Sequence, residues 1–438
     1  MVLKNFNDVW QTLKNAEVPI TAFWLQDWVG QRTSAVGKQL WWNWELDNEH
    51  YPNWNKIYDT LQQNNIQIMG YINPFIVRVN GEKPNFRRNQ YAEARDNNYL
   101  ALNHNGNIYQ VQNTSFSSAI LDLSNNDAIE WTKDIIKDEL LARGLKGWMA
   151  DFAEALPFEV ELHSGESPST FHNKYPEVWE KLNKDAINEV GLTDSIIFFS
   201  RAGYSQSPKY ATLFWQGDQI VGWGENDGLK SAVTGLLCAG LSGFTLNHSD
   251  IGGYTSIGVQ LLNITFLKRS QELLRRWSEM AAFTPVFRTH EGLGPDKNYQ
   301  VYQDDSTALH FAKQAKIFQA WFFYRKQLMQ EAHDFGYPIC RHMFIEFPND
   351  VNTYTISYQQ YMIGKELLVA PILNPNTTQT SVYLPQGTWE NLWTGEIINS
   401  TGQTITVTGL TDKAAVFFPQ GSSVGNTFKQ NLINAGVY

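Results

Sequence analysis

Gly147-Trp148-Met149-Ala150-Asp151-Phe152 is a short apolar run interrupted near its end by a carboxylate. The same design recurs over the first three quarters of the chain. Ile20–Asp27 (ITAFWLQD), Ile66–Ile76 (IQIMGYINPFI), Ser195–Arg201 (SIIFFSR), Leu213–Asp218 (LFWQGD), Gly243–Asp250 (GFTLNHSD) and Thr284–His290 (TPVFRTH) are also short and β-prone, and most close on a polar or ionisable residue. Consecutive apolar residues suit strands covered on both faces, as in a parallel sheet. Between the runs lie amphipathic stretches such as Asn126–Arg143, whose Ile129, Ile135, Ile136, Leu140 and Leu141 fall near helical spacing. Strand and helix in alternation predict β/α units, closed into a barrel or opened into a doubly wound sheet. In a β/α barrel the C-terminal strand ends share one site. Asp27, Asp151, Arg201, Asp218, Asp250 and His290 are therefore predicted to converge, although any one Asp taken singly fits a helix cap as well.

After a helical stretch at Leu309–Phe335 the texture changes to short strands and turns: Leu367–Leu373, Gln379–Leu384, Thr404–Val407 and Ala414–Phe418, with turns at Pro385–Gly387 and Ser400–Gly402. This predicts an all-β C-terminal module, with domains at 1–340 and 341–438. The length of 438 residues agrees with a barrel-sized domain and a smaller companion.

Composition narrows the function. Formal charge is −10, from 34 Lys+Arg against 44 Asp+Glu, and no segment concentrates basic residues, so the footprint of a nucleic-acid binder is missing. No apolar run reaches membrane-spanning length and no leader pattern opens the chain, which predicts a soluble protein without an address or membrane partner. Cys238 and Cys340 lie far apart without metal-ligand spacing, and no metal or cofactor is expected. Sequons at Asn113, Asn263 and Asn376 are no more than an Asn-rich chain produces by chance. The 16 Trp, 19 Tyr and 25 Phe suit an aromatic-rich core and equally a site that stacks on sugar rings.

Cleaving a glycosidic bond takes one carboxyl to protonate the leaving oxygen and a second on the opposite face of the sugar, about 5 Å away in retaining enzymes. Asp151 and Asp218 are separated by 67 residues, room for two β/α units, and form the obvious pair. By residue type alone Asp27, Glu154, Glu225 and Asp250 are rivals.

Six strings choose among them. KGWMADFAEALP, FFSRAG, YATLFWQGDQ, LNHSDIGGY, TPVFRTHEG and GKELLVAPIL resemble glycoside hydrolase family 31, in the family's order and across about four fifths of the chain. FWLQDWVGQRTSAVGKQLWWNW is most similar to the family's sulfoquinovosidase-type members. The resemblance implies a (β/α)8 TIM barrel followed by a β-sandwich, and a retaining α-glycosidase acting on a carbohydrate, of sulfoquinovosidase or α-glucosidase type. It implies Asp151 as nucleophile and Asp218 as acid/base, the latter with a raised pKa. It further implies Arg201 on the sugar 2-hydroxyl, His290 and Asp27 on other ring hydroxyls, and Trp148 and Trp215 as pocket walls. Sulfoquinovosidases hold the sulfonate with Gln, Arg, Trp and Tyr. This chain has Gln26, Trp42 and Tyr254 at the matching places but Gln39 where the Arg is expected, with Arg32 and Lys38 nearby. An amide lacks the charge and fork of a guanidinium, so a neutral α-glucoside or α-galactoside competes as substrate. Two further departures are expected: Val9–Ala16 reads as the helix after a missing first barrel strand, and Gly258–Thr265 is longer than the family's spacing. The missing strand favours a second reading, a non-catalytic sugar-binding pseudoenzyme or inactive fragment, against which stand the intact Asp151 and Asp218.

Overall fold

The computed structural model describes residues 3–34, 37–79, 81–113, 115–259 and 264–438, and the chain divides into two compact units. The sequon at Asn263 and the middle of the long Gly258–Thr265 segment lie outside the described residues.

The first unit, chiefly Ile20–Phe214, is built on parallel strands in the spatial order Ala22–Trp24, Gln67–Ile72, Gly147–Ala150, Ile197–Ser200 and the start of Leu213–Trp215. The register is continuous: Trp24 opposes Met69, Ile72 opposes Ala150, Ala150 opposes Ser200 and Ser200 opposes Phe214. These four pairings are all parallel, as the alternation of strand and helix predicts, and the sheet is half of a β/α barrel. The central strand Gly147–Ala150 is buried throughout. Its first residue is a glycine of necessity, because a Cβ there would lie 2.4 Å from the carbonyl oxygen of Ile197 on the next strand. Helices Trp54–Gln63, Asn126–Ile135 and Pro168–Glu189 belong to the same unit.

Over Ile20–Phe214 the helical and strand expectations hold in kind and change in extent. Ile66–Ile76 breaks into Gln67–Ile72 and Phe75–Ile76, because Pro74 has no N–H to offer a ladder and Asn73 Oδ1 takes the Phe75 N–H at 2.9 Å. Asn126–Arg143 is an α-helix only to Ile135, followed by a π-helical turn to Leu140 and a 3-10 turn ended by left-handed Gly144. The helix expected at Val9–Ala16 runs over Leu3–Asn15.

In the second unit Gly243–Asp250 contracts to a strand at Asn247–His248, with the His248 carbonyl accepting from Gln216 N–H at 3.0 Å. Thr284–His290, predicted as a strand, is not one: a single parallel bridge joins Thr289 to Ile251. The preceding helix ends at Ala281, and the Thr284 hydroxyl, shared between the carbonyls of Ala281 and Val286, holds the start of the segment in a turn, which leaves little extended chain for a ladder. The predicted Leu309–Phe335 helix is two helices, Asp305–Ala320 and Phe322–Phe335, separated by non-helical Trp321. Beyond them Cys340–Arg341, Tyr361–Ile363, Leu367–Ala370, Ala415–Pro419, Gly387–Asn391 and Ile397–Ser400 form an antiparallel sheet in that order, and Thr380–Leu384 pairs with Gln403–Val407. Met362, Leu368, Val382, Leu384, Trp389 and Phe417 fill the core of this module. The expected all-β region also carries a closing helix, Ser423–Asn434.

Candidate active site

At the end of the Gly147–Ala150 strand the chain turns sharply. Phe152 and Ala153 both adopt the left-handed region, with φ of 57° and 81°. Two such residues in succession, neither of them glycine, hold strain of about 1–3 kcal/mol each, which surrounding packing must over-determine. The Phe152 ring is held edge-on to Trp42 and Phe75, with centroids at 5.5 and 5.3 Å, and the Arg201 guanidinium lies 4.2 Å above it. The turn thus sets Asp151, Phe152 and Arg201 side by side.

Asp151 is 5% exposed. The Tyr71 hydroxyl donates to its Oδ2 at 2.5 Å and is itself oriented by Asn73 Nδ2 at 3.1 Å. Oδ1 lies 3.4 Å from Arg201 Nε and makes no hydrogen bond of normal length among the described residues. Burial pushes the Asp151 carboxyl up from its ordinary value, while Arg201 and Tyr71 pull it down. Arg201, in turn, grips Glu154 Oε1 with Nε at 3.0 Å and Nη2 at 2.5 Å. Tyr71 and Glu154 acquire their roles only in the structure. Tyr71 sits inside an apolar strand where a tyrosine reads as core, and nothing in the strand's pattern marks it.

Asp27 follows the first strand in a 3-10 turn, Gln26–Val29. Its Oδ2 accepts from Gln31 at 3.0 Å and pairs with His50 at 2.7 Å, and Tyr51 donates to Oδ1. Burial alone would raise this carboxyl, but the hydrogen bonds of His50 and Tyr51 outweigh it and hold the pKa below the ordinary value. Trp42 is stacked on Phe75 at 5.2 Å. Trp148, expected in a pocket wall, is wholly buried. Strand alternation turns it away from Asp151, and its indole N–H donates to Asn183 in the Pro168–Glu189 helix, so it is a packing residue under the site.

Gln26 is partly buried beside Asp27. Gln39 lies on a hairpin, Gln31–Ser34 with Gly37–Leu40, and accepts from Ser115 Oγ at 2.5 Å. Its cross-strand partner is Arg32. That guanidinium lies 3.5 Å from the Phe116 ring and 4.6 Å from Trp41, and its buried Nε and Nη2 find no hydrogen-bond partner among the described residues. Burial lowers its pKa to about 10, which leaves it a cation at neutral pH.

In the second unit, Gly217 at φ 82° turns the chain before Asp218, which is exposed and lines a cavity of about 300 Å3 with Gln216, Gln219, Asn226, Asp227 and Ser231. Trp215 is buried beside the Arg288 guanidinium, which pairs with fully buried Asp250 and donates to His248 Nε2 at 2.9 Å. His290 packs edge-on against Tyr254 at 4.6 Å, and its Nδ1 accepts from Gly292 N–H at 2.8 Å, which assigns the ring proton to Nε2. Burial, helped by Arg288 and Arg269, holds its pKa well below the ordinary histidine value, so the ring is neutral. Each unit therefore gathers its own share of the predicted residues: Gln26, Asp27, Gln39, Trp42, Asp151 and Arg201 in the first, Trp215, Asp218, Tyr254 and His290 in the second.

Models of the glycosyl hydrolase family 31 TIM-barrel domain and C-terminal domain match residues 3–333 and 336–424. The sulfoquinovosidase of Escherichia coli (strain K12) is 38% identical over 407 residues, covering 93% of this chain and 57% of its own length. That of Agrobacterium fabrum is 36% identical over 422 residues, covering 96% and 61%. A solved family 31 sulfoquinovosidase from E. rectale, in complex with the aza-sugar inhibitor IFGSQ, aligns with a TM-score of 0.90 at 37% identity, over 97% of this chain and 61% of that one. The chain thus spans about three fifths of the length of these relatives.

Proposed function

The chain belongs to glycosyl hydrolase family 31, and on that footing we propose that it hydrolyses terminal α-glycosides of a sulfonated sugar by double displacement, with Asp151 as nucleophile and Asp218 as acid/base. The observation that carries the reading is the state of Asp151: a buried carboxylate with one oxygen held by Tyr71 and the other turned toward Arg201 without a close hydrogen bond. An oxygen so placed has its lone pairs available for an anomeric carbon. In the first step Asp218 gives its proton to the glycosidic oxygen as Asp151 forms an ester with C1 and the C1–O bond breaks. In the second, the Asp218 carboxylate takes a proton from the water that attacks C1, and Asp151 leaves. Arg201 would hold the 2-hydroxyl, and neutral His290, with its proton on Nε2, would donate to another ring hydroxyl. Asp27, whose oxygens are oriented by Gln31, His50 and Tyr51, would accept from a further ring hydroxyl. A domain boundary near residue 340 completes the proposal.

Sulfonate recognition is the finer part of it. Three acceptor oxygens and a fixed charge call for a guanidinium. With Gln39 where sulfoquinovosidases carry Arg, the cation across the hairpin, Arg32, is assigned the counter-charge, alongside Gln26, Trp42 and Tyr254. The test is hydrolysis of aryl α-sulfoquinovoside, α-glucoside and α-galactoside, side by side, by the full chain. Preference for the sulfonated substrate is expected; turnover of a neutral glycoside alone would refute the sulfonate part and leave the nucleophile standing. Loss of all turnover on Asp151→Asn is the expected control, and near wild-type turnover by that variant would sink the whole reading.

A further inference from the structure

We propose that the second unit holds one divalent transition-metal ion at Glu279, His310 and Asp412, away from any residue assigned to sugar chemistry. The three ligand atoms lie within 4.8 Å of one another. His310 Nε2 is 3.1 Å from Glu279 Oε1 and 3.7 Å from Asp412 Oδ1. Those two separations bracket the ligand–ligand edge of about 3.4 Å that a tetrahedral ion with bonds of about 2.1 Å requires, and the third, between Glu279 and Asp412, is within 4.8 Å. A proton on Nε2 can serve Glu279 at 3.1 Å, but 3.7 Å is too long for a hydrogen bond to Asp412, whereas one cation satisfies all three atoms.

The surroundings suit an ion. Glu279 and His310 are buried, at 1% and 5% exposure, while partly exposed Asp412 lines, with Glu279, Gln271, Arg276 and Thr411, a cavity of about 240 Å3 that leaves room for a water ligand. Arg276 Nη1 holds the other oxygen of Glu279 at 2.7 Å, fixing its orientation as outer partners of metal ligands do. The same guanidinium leaves one net negative charge on the cluster when the imidazole is neutral. Gln314 supplies a separate sign. It is wholly buried, its amide nitrogen is 3.5 Å from His310 Nε2 and donates to the Asp412 carbonyl at 3.1 Å, and its Oε1 finds no donor among the described residues. Within the proposed site a water on the ion would supply the donor that oxygen lacks. One imidazole with two carboxylates selects Zn2+, Mn2+ or Co2+ over Ca2+ and Mg2+, which take oxygen ligands. The ion would clamp helices Gln271–Ala281 and Asp305–Ala320 to the loop that carries Asp412.

The experiment uses the untagged full chain, stripped with chelator and titrated with Co2+ alone. The expected result is saturable visible absorption at one Co2+ per chain, displaced by one Zn2+, with Zn2+ also raising the melting temperature. Asp412→Asn, at the partly exposed ligand, should fold normally and weaken Co2+ binding roughly tenfold or more. His310→Gln should abolish binding; if that variant does not fold, Asp412→Asn decides alone. No saturable Co2+ spectrum, or equal affinity in wild type and Asp412→Asn, would overturn the site and identify the cluster as an ion-pair network.

Discussion

The residue on which most depends is Tyr71, because it is the direct partner of the proposed nucleophile. Its hydroxyl stabilises the ionised form of Asp151, so Tyr71→Phe should raise the Asp151 pKa further. The acid limb of kcat/KM then moves to higher pH, and kcat/KM at neutral pH falls about tenfold, the worth of one hydrogen bond to a charged group. A fall that is uniform with pH would mark Tyr71 as merely structural. Arg32 is tested by substrate comparison: Arg32→Gln should raise KM for an aryl α-sulfoquinovoside about tenfold or more and leave a neutral aryl glycoside unchanged. Gln39→Arg should restore part of the loss; equal losses on both substrates would refute the assignment. The places of Asp151, Arg201 and Asp218 at or just beyond strand ends were legible in the sequence because they close apolar runs. Tyr71, His50 and Tyr51 were not, since a mid-strand tyrosine or a loop histidine declares its partner only when the backbone brings that partner near.

At the scale of elements, the Pro168–Glu189 helix and the Ile197–Ser200 strand meet through Glu180, which accepts from Ser200 Oγ at 2.6 Å directly before Arg201. Burial raises this carboxyl to about 7. A raised folded-state pKa means that the folded chain keeps a proton the unfolded chain has lost above pH 4.5, so stability is highest below 4.5 and falls as pH rises to about 7. Glu180→Gln should therefore gain stability at pH 8, by up to about 3 kcal/mol, with little change near pH 4. Thermal melting at the two values checks it, and an equal shift at both would refute the linkage. Strand positions were legible from apolar runs wherever two neighbours cover the strand, as at Gly147–Ala150. Thr284–His290 misled because TPVFR has β-prone residues without a ladder partner, and Pro74 cut a run that hydropathy alone would continue.

For the whole molecule, a net charge of −10 repels an anionic substrate at long range. Raising salt from about 10 mM to about 150 mM shrinks the screening length from roughly 30 Å to 8 Å. KM for a sulfonated glycoside should then fall about twofold, with a neutral glycoside unaffected; a rise in KM with salt would mean that local cations dominate the approach. This charge was readable from composition. The Glu279, His310 and Asp412 cluster was not: its first two members are 31 residues apart and the third comes from the C-terminal module, so no spacing rule joins them.

The consecutive left-handed residues Phe152 and Ala153 also bear on how this chain can drift over generations. Glycine at 153 would relax the turn at no cost to any carboxylate, arginine or aromatic side chain. Such a lineage would keep every residue by which an active glycosidase is recognised and gain stability, while the carboxylate it carries lost its fixed aim. Decay of function in this fold can therefore begin in the main chain, two positions removed from the chemistry, before any reactive group has changed.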